Sequence, residues 1–195
     1  MTWPRLSRIL IYAGALVLGV ILGLGSLYAG ISSSARGVVQ NGVWLTDLNT
    51  GSTAAGPYTR ANVAMYGLLA LNRSEAIYYF ADRDASGDAL SGRCSYVIEG
   101  RDPDARWWSI TVYGTDGFLM AASKGRFSAS SALIARRNDG SFSIALNAQG
   151  TGENGLPTGG GEFTMVLRLY NPGPDIQKRP GETVLPQLRR VSCNG

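Results

Sequence analysis

The sequence predicts a mainly β protein, an antiparallel β-sandwich with one or two short helices, preceded by an N-terminal transmembrane helix. Three observations predict this architecture. An uncharged apolar run lies near the N-terminus, apolar and polar residues alternate through much of the remaining chain, and turn sequences separate the alternating segments. We expect residues 1–35 to form a cytoplasmic tip, the helix and a linker, and residues 36–195 to form one domain.

The apolar run covers residues 9–31. At 1.5 Å per residue it makes a helix of roughly 34 Å, enough to cross a hydrocarbon core of about 30 Å. Arg5 and Arg8 precede the run and only Arg36 follows closely. Because positive residues stay on the cytoplasmic side, we expect a single pass through a bacterial inner membrane, with the C-terminal domain in the periplasm.

Two alternatives remain open for the apolar run. Ser33-Ser34-Ala35 resembles a small-x-small signal peptidase site, although the run is longer than the usual secretory core. Ala15, Gly19 and Gly23 recur every four residues, a spacing that lets two membrane helices approach closely. Cleavage and a helix-mediated homodimer are therefore both alternatives to a simple anchor.

Composition excludes several classes of function. The chain contains no histidine, which rules out a Ser-His-Asp triad, a Cys-His pair and imidazole metal sites. Net charge is +4, and two of these positive charges belong to the membrane flank, so no nucleic-acid partner is expected. No cofactor is expected either. Acid–base chemistry would fall to carboxylates, Tyr or Lys.

The chain has two cysteines, Cys94 and Cys193. In an exported domain a single pair most often forms a disulfide. This bond would tether the C-terminal tail to a central strand. Two free thiols in a reducing compartment are the alternative, and that alternative contradicts the predicted topology.

The elements before the strands are few. Residues 32–56 are rich in Ser, Gly, Thr and Asn, which predicts a linker that docks on the domain near Trp44. Helical spacing of apolar residues predicts one amphipathic helix over Arg60–Asn72, with Thr59 as its N-cap.

From residue 76 onward the period of the apolar residues changes to two. This alternation predicts strands at Ala76–Ala81, Cys94–Glu99, Trp107–Tyr113, Ser141–Leu146 and Glu162–Tyr170. Turn sequences separate them at Ser86-Gly87, Asp116-Gly117 and Asn138-Asp139-Gly140. The stretch Gly150–Gly161 has no Lys after its glycines, so we expect a flexible loop over one end of the sandwich and not a phosphate cradle.

An ordered set of short matches identifies a family resemblance. The matches include Pro57–Ala61, Gly67–Leu71, Leu90–Tyr96, Arg106–Tyr113, Asp139–Ser141 and Leu167–Pro172. Together they resemble the family known as domain of unknown function 1214, over roughly residues 44–193. The resemblance implies a jelly-roll-like sandwich, found in short membrane-anchored bacterial proteins and in the C-terminal half of larger exported ones. It implies no catalytic residues.

One departure from the family pattern is visible. Relatives usually have a Trp before Leu-Pro, whereas this chain has Asn154-Gly155-Leu156-Pro157. If that Trp lines a pocket in relatives, the pocket is lost or reshaped here.

Aromatic and arginine residues supply the candidate ligand-binding set. Trp107 and Trp108 are adjacent, so on a strand they face opposite sides, and one of them is expected in the core. The other could form an aromatic platform. The candidate set is Trp107, Trp108, Tyr113, Arg126, Arg168 and Tyr170.

Arg168 carries the polar part of this hypothesis. It alternates with core residues and lies on the side of Tyr170, where a guanidinium could bind a carboxylate or phosphate through two hydrogen bonds. The structural alternative is an ion pair with Asp82, Asp84 or Glu99 that covers a sheet face. Arg60 and Arg126 also lie in family-like stretches.

The residues Asp82, Asp84, Ser86 and Asp88, with Gly87 between the last two, match the first half of a calcium loop. The bidentate Glu expected at the twelfth position is Arg93, and the flanks are strand-like. An acidic hairpin turn is therefore the favoured interpretation, with calcium as an alternative and no metal expected.

These observations favour a non-catalytic module that binds an envelope glycan, lipid or protein. The alternative is an enzyme that acts on envelope glycans through carboxylates such as Asp84, Glu99 or Asp102. Asp102 and Asp104 flank Pro103 in a predicted hairpin loop, where acidic residues are common without any catalytic role.

Overall fold

The structure is a computed structural model that describes residues 3–33, 37–65, 71–120 and 125–193. The helices are α1 (Trp3–Ser33), α2 (Pro57–Met65) and α3 (Pro174–Lys178). The strands are β1 (Val38–Asn41), β2 (Trp44–Asp47), β3 (Ala76–Ala81), β4 (Cys94–Gly100), β5 (Ala105–Gly114), β6 (Ser128–Ser130), β7 (Phe142–Asn147), β8 (Leu156–Pro157), β9 (Phe163–Pro172) and β10 (Gln187–Cys193).

The strands form two sheets. The larger has the order β1-β2-β3-β9-β5-β6 and the smaller has the order β10-β4-β7-β8. Neighbouring strands are antiparallel except for β7 and β8, which pair in parallel. The mainly β fold with an N-terminal apolar helix is confirmed.

The core lies between the two sheets. Trp108 of β5 stacks on Phe142 of β7, with ring centroids 4.9 Å apart. Tyr96 of β4 meets Phe163 of β9 edge to face at 5.8 Å. All four side chains are at most 2 % exposed, so each sheet buries its inner alternate positions against the other, which is the defining feature of a β-sandwich.

All five strands predicted from the alternation are present. The prediction of a linker over residues 32–56 was wrong in part, since β1 and β2 form a hairpin there that extends the larger sheet. Trp44 does dock on the domain, and its indole N–H donates to the carbonyl of Pro186 at 2.7 Å.

The helix predicted over Arg60–Asn72 differs in its bounds from the observed helix α2. α2 starts at Pro57, two residues before the expected N-cap Thr59, because proline suits the first turn of a helix. It is described as far as Met65, and residues 66–70 of the predicted helix lie outside the described residues. Leu71 and Asn72, which the prediction included, are not helical.

The three predicted turns are confirmed. Gly87, Gly117 and Gly140 have φ of 86°, 80° and 79°, a left-handed conformation that favours glycine. The stretch Gly150–Gly161 contains more order than a flexible loop, because β8 lies within it and pairs with β7.

The predicted disulfide is present. Cys94 of β4 and Cys193 of β10 are direct cross-strand partners and are bonded to each other. The bond fixes the last strand of the chain to the smaller sheet.

α1 contains a candidate membrane span over Ser7–Gly30, 24 residues with a mean hydropathy of 2.3 and no burial against the domain. This helix suggests a membrane anchor. At its C-terminal end it meets α2, since a Cβ added at Gly30 would lie 2.6 Å from the ring of Tyr58. The apolar helix and the sandwich are therefore in contact at this point.

Candidate binding face

The candidate residues of β5 and β9 meet on the side of the larger sheet that faces away from the core. Alternation directs Trp108, Ile110 and Val112 inward, where they are at most 2 % exposed. The opposite side of the same two strands carries the set that we name the outer face: Trp107, Thr111, Tyr113, Arg168 and Tyr170. Long paired strands thus position these side chains on a rigid surface.

Arg168 is held in a fixed orientation at the centre of the outer face. Its guanidinium donates to Thr111 Oγ1 at 3.1 Å and to the Tyr113 hydroxyl at 2.7 Å. Its Cζ atom also lies 5.5 Å from the centroid of the Tyr113 ring, within cation–π range. Among the described residues, both hydrogen-bond partners are neutral and occupy only part of the guanidinium donors.

The expected ion pair of Arg168 with an acidic residue is not made. All 14 Asp and Glu residues lie in the described part of the chain, and none of them forms a salt bridge with Arg168. Asp84 pairs with Arg190, and Glu99 pairs with Arg137 and Arg189 on the smaller sheet. Arg168 therefore keeps an uncompensated positive charge on a partly buried surface.

Trp107 and Tyr170 form an aromatic pair beside Arg168. They are direct partners across β5 and β9, their ring centroids are 5.2 Å apart, and the ring planes are tilted by 57°. Trp107 is 37 % exposed, so part of the indole is available to a ligand. The platform that the sequence predicts thus has Trp107 as its exposed member.

Part of the outer face is closed on the β5 side, where Ser109 and Thr111 are 4 % and 6 % exposed, and the face is also closed on the β3 side. Ala76, Tyr78 and Val166 form a small buried cluster there, and Leu71 packs against it. Burial raises the pKa of Tyr78, Tyr170 adds to the rise, and the backbone of Leu71 and the positive charge of Arg168 oppose it. Tyr78 thus stays a neutral phenol beside the arginine at physiological pH.

Two predicted site residues do not join the outer face. Trp108 is fully buried in the core, where its indole N–H donates to Asp102 Oδ1 at 3.0 Å. Arg126 is exposed on the segment before β6 and makes no hydrogen bond or ion pair within the described residues. Arg60, from a family-like stretch, instead ties α2 to the preceding loop through the carbonyls of Thr53 and Ala55.

The calcium-like loop is closed by an arginine from β10. Asp84 Oδ1 accepts the backbone N–H groups of Ser86 and Asp88, as a loop ligand would. Its second oxygen lies 3.1 Å from Arg190 Nε, and Arg190 also bonds Asp88 at 2.9 Å. The described residues contain no group of three metal-ligating side chains that could hold an ion. The guanidinium supplies the positive charge that this turn binds.

The carboxylates of the enzymatic alternative are dispersed. Asp102 forms an ion pair with Arg136 at 2.9 Å and accepts the Trp108 indole, so it anchors a core residue. Glu99 lies between two arginines at 3.8 and 3.9 Å. None of these acids belongs to the outer face.

The position before Leu156-Pro157, where the family resemblance leads us to expect a Trp, is closed in this chain. A Cβ added at Gly155 would lie 2.4 Å from the carbonyl oxygen of Gly150. The neighbouring Asn154 has a φ of 50° and its amide bonds Ala135 and Ser143. Backbone therefore occupies the place of a larger side chain.

Sequence reasoning included Tyr113, one hydrogen-bond partner of Arg168, but missed two other neighbours of this arginine. Thr111 and Tyr78 were not singled out, although Thr111 alternates with Trp107 and Tyr113 in the same strand. That alternation was the available signal. The pairing of β5 with β9, whose partners lie 49 to 67 residues apart in the chain, was not visible in the sequence.

Fold and site together define a two-sheet β-sandwich with an apolar N-terminal helix and an arginine-centred outer face. A family model, "Protein of unknown function (DUF1214)", matches residues 75–174. The chain belongs to this family.

Solved structures resemble the sandwich. The VPA0106 protein of Vibrio parahaemolyticus superposes with a TM-score of 0.60 and 27 % identity, covering 71 % of this chain and 36 % of its own. An uncharacterised protein of Burkholderia cenocepacia gives a TM-score of 0.44 and 15 % identity, covering 91 % of this chain and 43 % of its own. The chain thus spans well under half of these relatives. No curated protein matches it.

Proposed function

We propose that this protein is a membrane-anchored, non-catalytic binding module of the bacterial envelope. Residues 1–35 hold it in the inner membrane with the N-terminus in the cytoplasm, and residues 36–195 form its periplasmic domain. The ligand is an envelope glycan, lipid or protein segment that presents an anionic group. The apolar helix and the Cys94–Cys193 disulfide support the exported location of the domain.

The observation that carries the proposal is the state of Arg168. A partly buried guanidinium without a carboxylate partner is costly unless something else satisfies it. Tyr113 and Thr111 orient the group without neutralising it. A preorganised, uncompensated arginine beside an exposed Trp is suited to a carboxylate or phosphate attached to an apolar or ring-shaped body.

The acids favour binding over catalysis. A glycosidase needs two carboxylates that face one substrate bond across several ångströms. Here Asp84, Glu99 and Asp102 are each engaged by arginines, and none lies on the outer face beside Trp107. The proposed ligand-binding surface therefore contains no acid–base pair.

The test compares variants of the full chain in detergent against an array of envelope glycans and lipids. We expect Arg168→Gln to weaken binding of any ligand found by about tenfold or more, because a charge-assisted hydrogen bond contributes about 1.5–3 kcal/mol. Arg179→Gln is the matched control, since Arg179 is exposed and pairs only with Glu182. Circular dichroism checks that each variant is folded.

Two results would contradict the proposal. Unchanged affinity in Arg168→Gln would remove the outer face as the binding surface. No binding to any member of the array by a folded protein would exclude a small envelope ligand.

A further inference from the structure

We infer that the anionic group bound by Arg168 is the phosphate of a lipid headgroup in the same membrane that α1 spans. This inference rests on the proposed function and names its ligand. It follows from the position of the outer face relative to the anchor, and the pairing of the strands gives that position.

The chain that follows α1 joins the larger sheet at β1 and β2. Leu48 N–H donates to the carbonyl of Gly37 at 2.9 Å, so the chain enters the sheet beside the end of β2. Leu45 of β2 pairs with Phe80 of β3, and the strands are antiparallel. The end of β2 therefore lies toward Ala76, the first residue of β3.

Strand pairing relates this end of β3 to β9 and β5. Ala76 pairs with Tyr170 of β9, and Tyr170 pairs with Trp107 of β5. The aromatic pair thus lies at the same end of the larger sheet as the anchor. Arg168 is two residues from Tyr170 along β9, which places it roughly 7 Å farther from that end.

The short connection between α1 and β1 limits the distance between the domain and the membrane. Four Cα–Cα steps separate Ser33, the end of α1, from Gly37, and they can span at most about 14 Å. The ring of Tyr58 packs against Gly30 at the end of the candidate span, which limits movement of the domain away from the helix. Four strand spacings separate β1 from β5, or roughly 19 Å along the sheet. Trp107 and Tyr170 are therefore held near the membrane surface.

The chemistry of the face fits this position. Tryptophan and tyrosine concentrate at the headgroup level of membranes, where one side of the ring is apolar and the other is hydrated. An arginine fork matches phosphate geometry through two parallel hydrogen bonds. Trp107 is exposed, and the Arg168 guanidinium beside it is held in a fixed orientation. This arrangement suits the binding of an anionic lipid headgroup.

The experiment uses the full chain in nanodiscs of phosphatidylcholine, alone or mixed with phosphatidylglycerol. Lipids brominated on the acyl chains quench nearby tryptophans, and the difference between wild type and Trp107→Phe isolates the signal of Trp107. We expect brominated phosphatidylglycerol to quench Trp107 more than brominated phosphatidylcholine, and Arg168→Gln to abolish that excess. Phe118→Ala is the matched control, because Phe118 is 74 % exposed beyond the other end of β5.

The outcomes separate the two proposals. Equal quenching by both lipids, or an excess that survives Arg168→Gln, overturns the lipid assignment. If a soluble anionic glycan or inorganic phosphate then binds in an Arg168-dependent manner, the binding module stands with a different ligand. If Arg168→Gln changes neither lipid quenching nor soluble binding, both proposals fail.

Discussion

At the scale of single residues, Arg190 bonds two carboxylates that differ sharply in exposure. The side chain of Asp84 is 3 % exposed and that of Asp88 is 63 % exposed. The hydrogen bond that Arg190 donates to Asp88 raises the pKa of Arg190, and both carboxylates favour its charged form. Water can replace the guanidinium at Asp88 but not at Asp84, so the two contacts differ in their contribution to stability.

We predict that Asp84→Asn lowers the free energy of unfolding by about 2–3 kcal/mol, because a buried amide would then face the Arg190 guanidinium in place of a carboxylate that is 3 % exposed. Asp88→Asn, which removes the exposed partner of the same arginine, should cost less than about 1 kcal/mol. Urea unfolding of the full chain in detergent measures both. Equal losses in the two variants would show that burial does not govern this cluster.

The residues also show where prediction from sequence stops. Alternation in β5 and β9 placed Trp107 and Trp108 on opposite sides of a strand and Arg168 away from the core, since side-chain direction follows from local periodicity. The partner of Arg168 depends on which strands are neighbours, and that is a long-range property. One of the acids suggested as a partner, Asp84, pairs instead with Arg190 of β10. That pairing was missed because β10 was not predicted as a strand.

At the scale of elements, the strands that escaped prediction are either very short or lie at the edge of a sheet. β6 and β8 have three and two residues, too few for a period to appear. β10 contains Gln187, Arg189, Arg190 and Ser192 and buries only Leu188, because it is an edge strand with one neighbour. Edge strands of this kind carry polar residues on most positions, which protects them from pairing with other chains.

β10 also gives the clearest prediction at this scale. The Cys94–Cys193 bond closes a loop with a sequence separation of 99, for which the chain-entropy model gives about 4–5 kcal/mol. We expect Cys94→Ser/Cys193→Ser to lose up to about this much stability and to expose the edge of β4. Thermal unfolding of the full chain with and without reductant measures the loss. Unfolding midpoints that match the oxidised wild type would show that the remaining contacts suffice to hold β10.

At the scale of the whole molecule, α1 meets α2 beside a small residue. Gly30 accommodates the ring of Tyr58, whereas Gly14, Gly19 and Gly23 of α1 face open space within the chain. The stripe that includes Gly19 and Gly23 is thus unoccupied by the protein's own residues, and association of two helices through it stays a prediction.

Gly30→Leu should displace the Tyr58 ring and loosen α2, because the added Cβ alone would lie 2.6 Å from that ring. We expect faster hydrogen exchange over residues 57–65, with exchange in β5 and β9 unchanged. Gly23→Leu is the control, since its position is open. Identical exchange in α2 of both variants would mean that Gly30 does not support the domain.

The position of β9 has a consequence for biosynthesis. β9 lies between β3 and β5, both of which leave the ribosome before it. A nascent chain that ends before residue 163 therefore holds two strand edges that have no partner yet, together with an incomplete core. Insertion of β9 completes the larger sheet and brings Arg168 to Tyr113 in the same event. A product truncated there would thus expose two unpaired strand edges to proteases and would lack Arg168 and Tyr170 of the outer face.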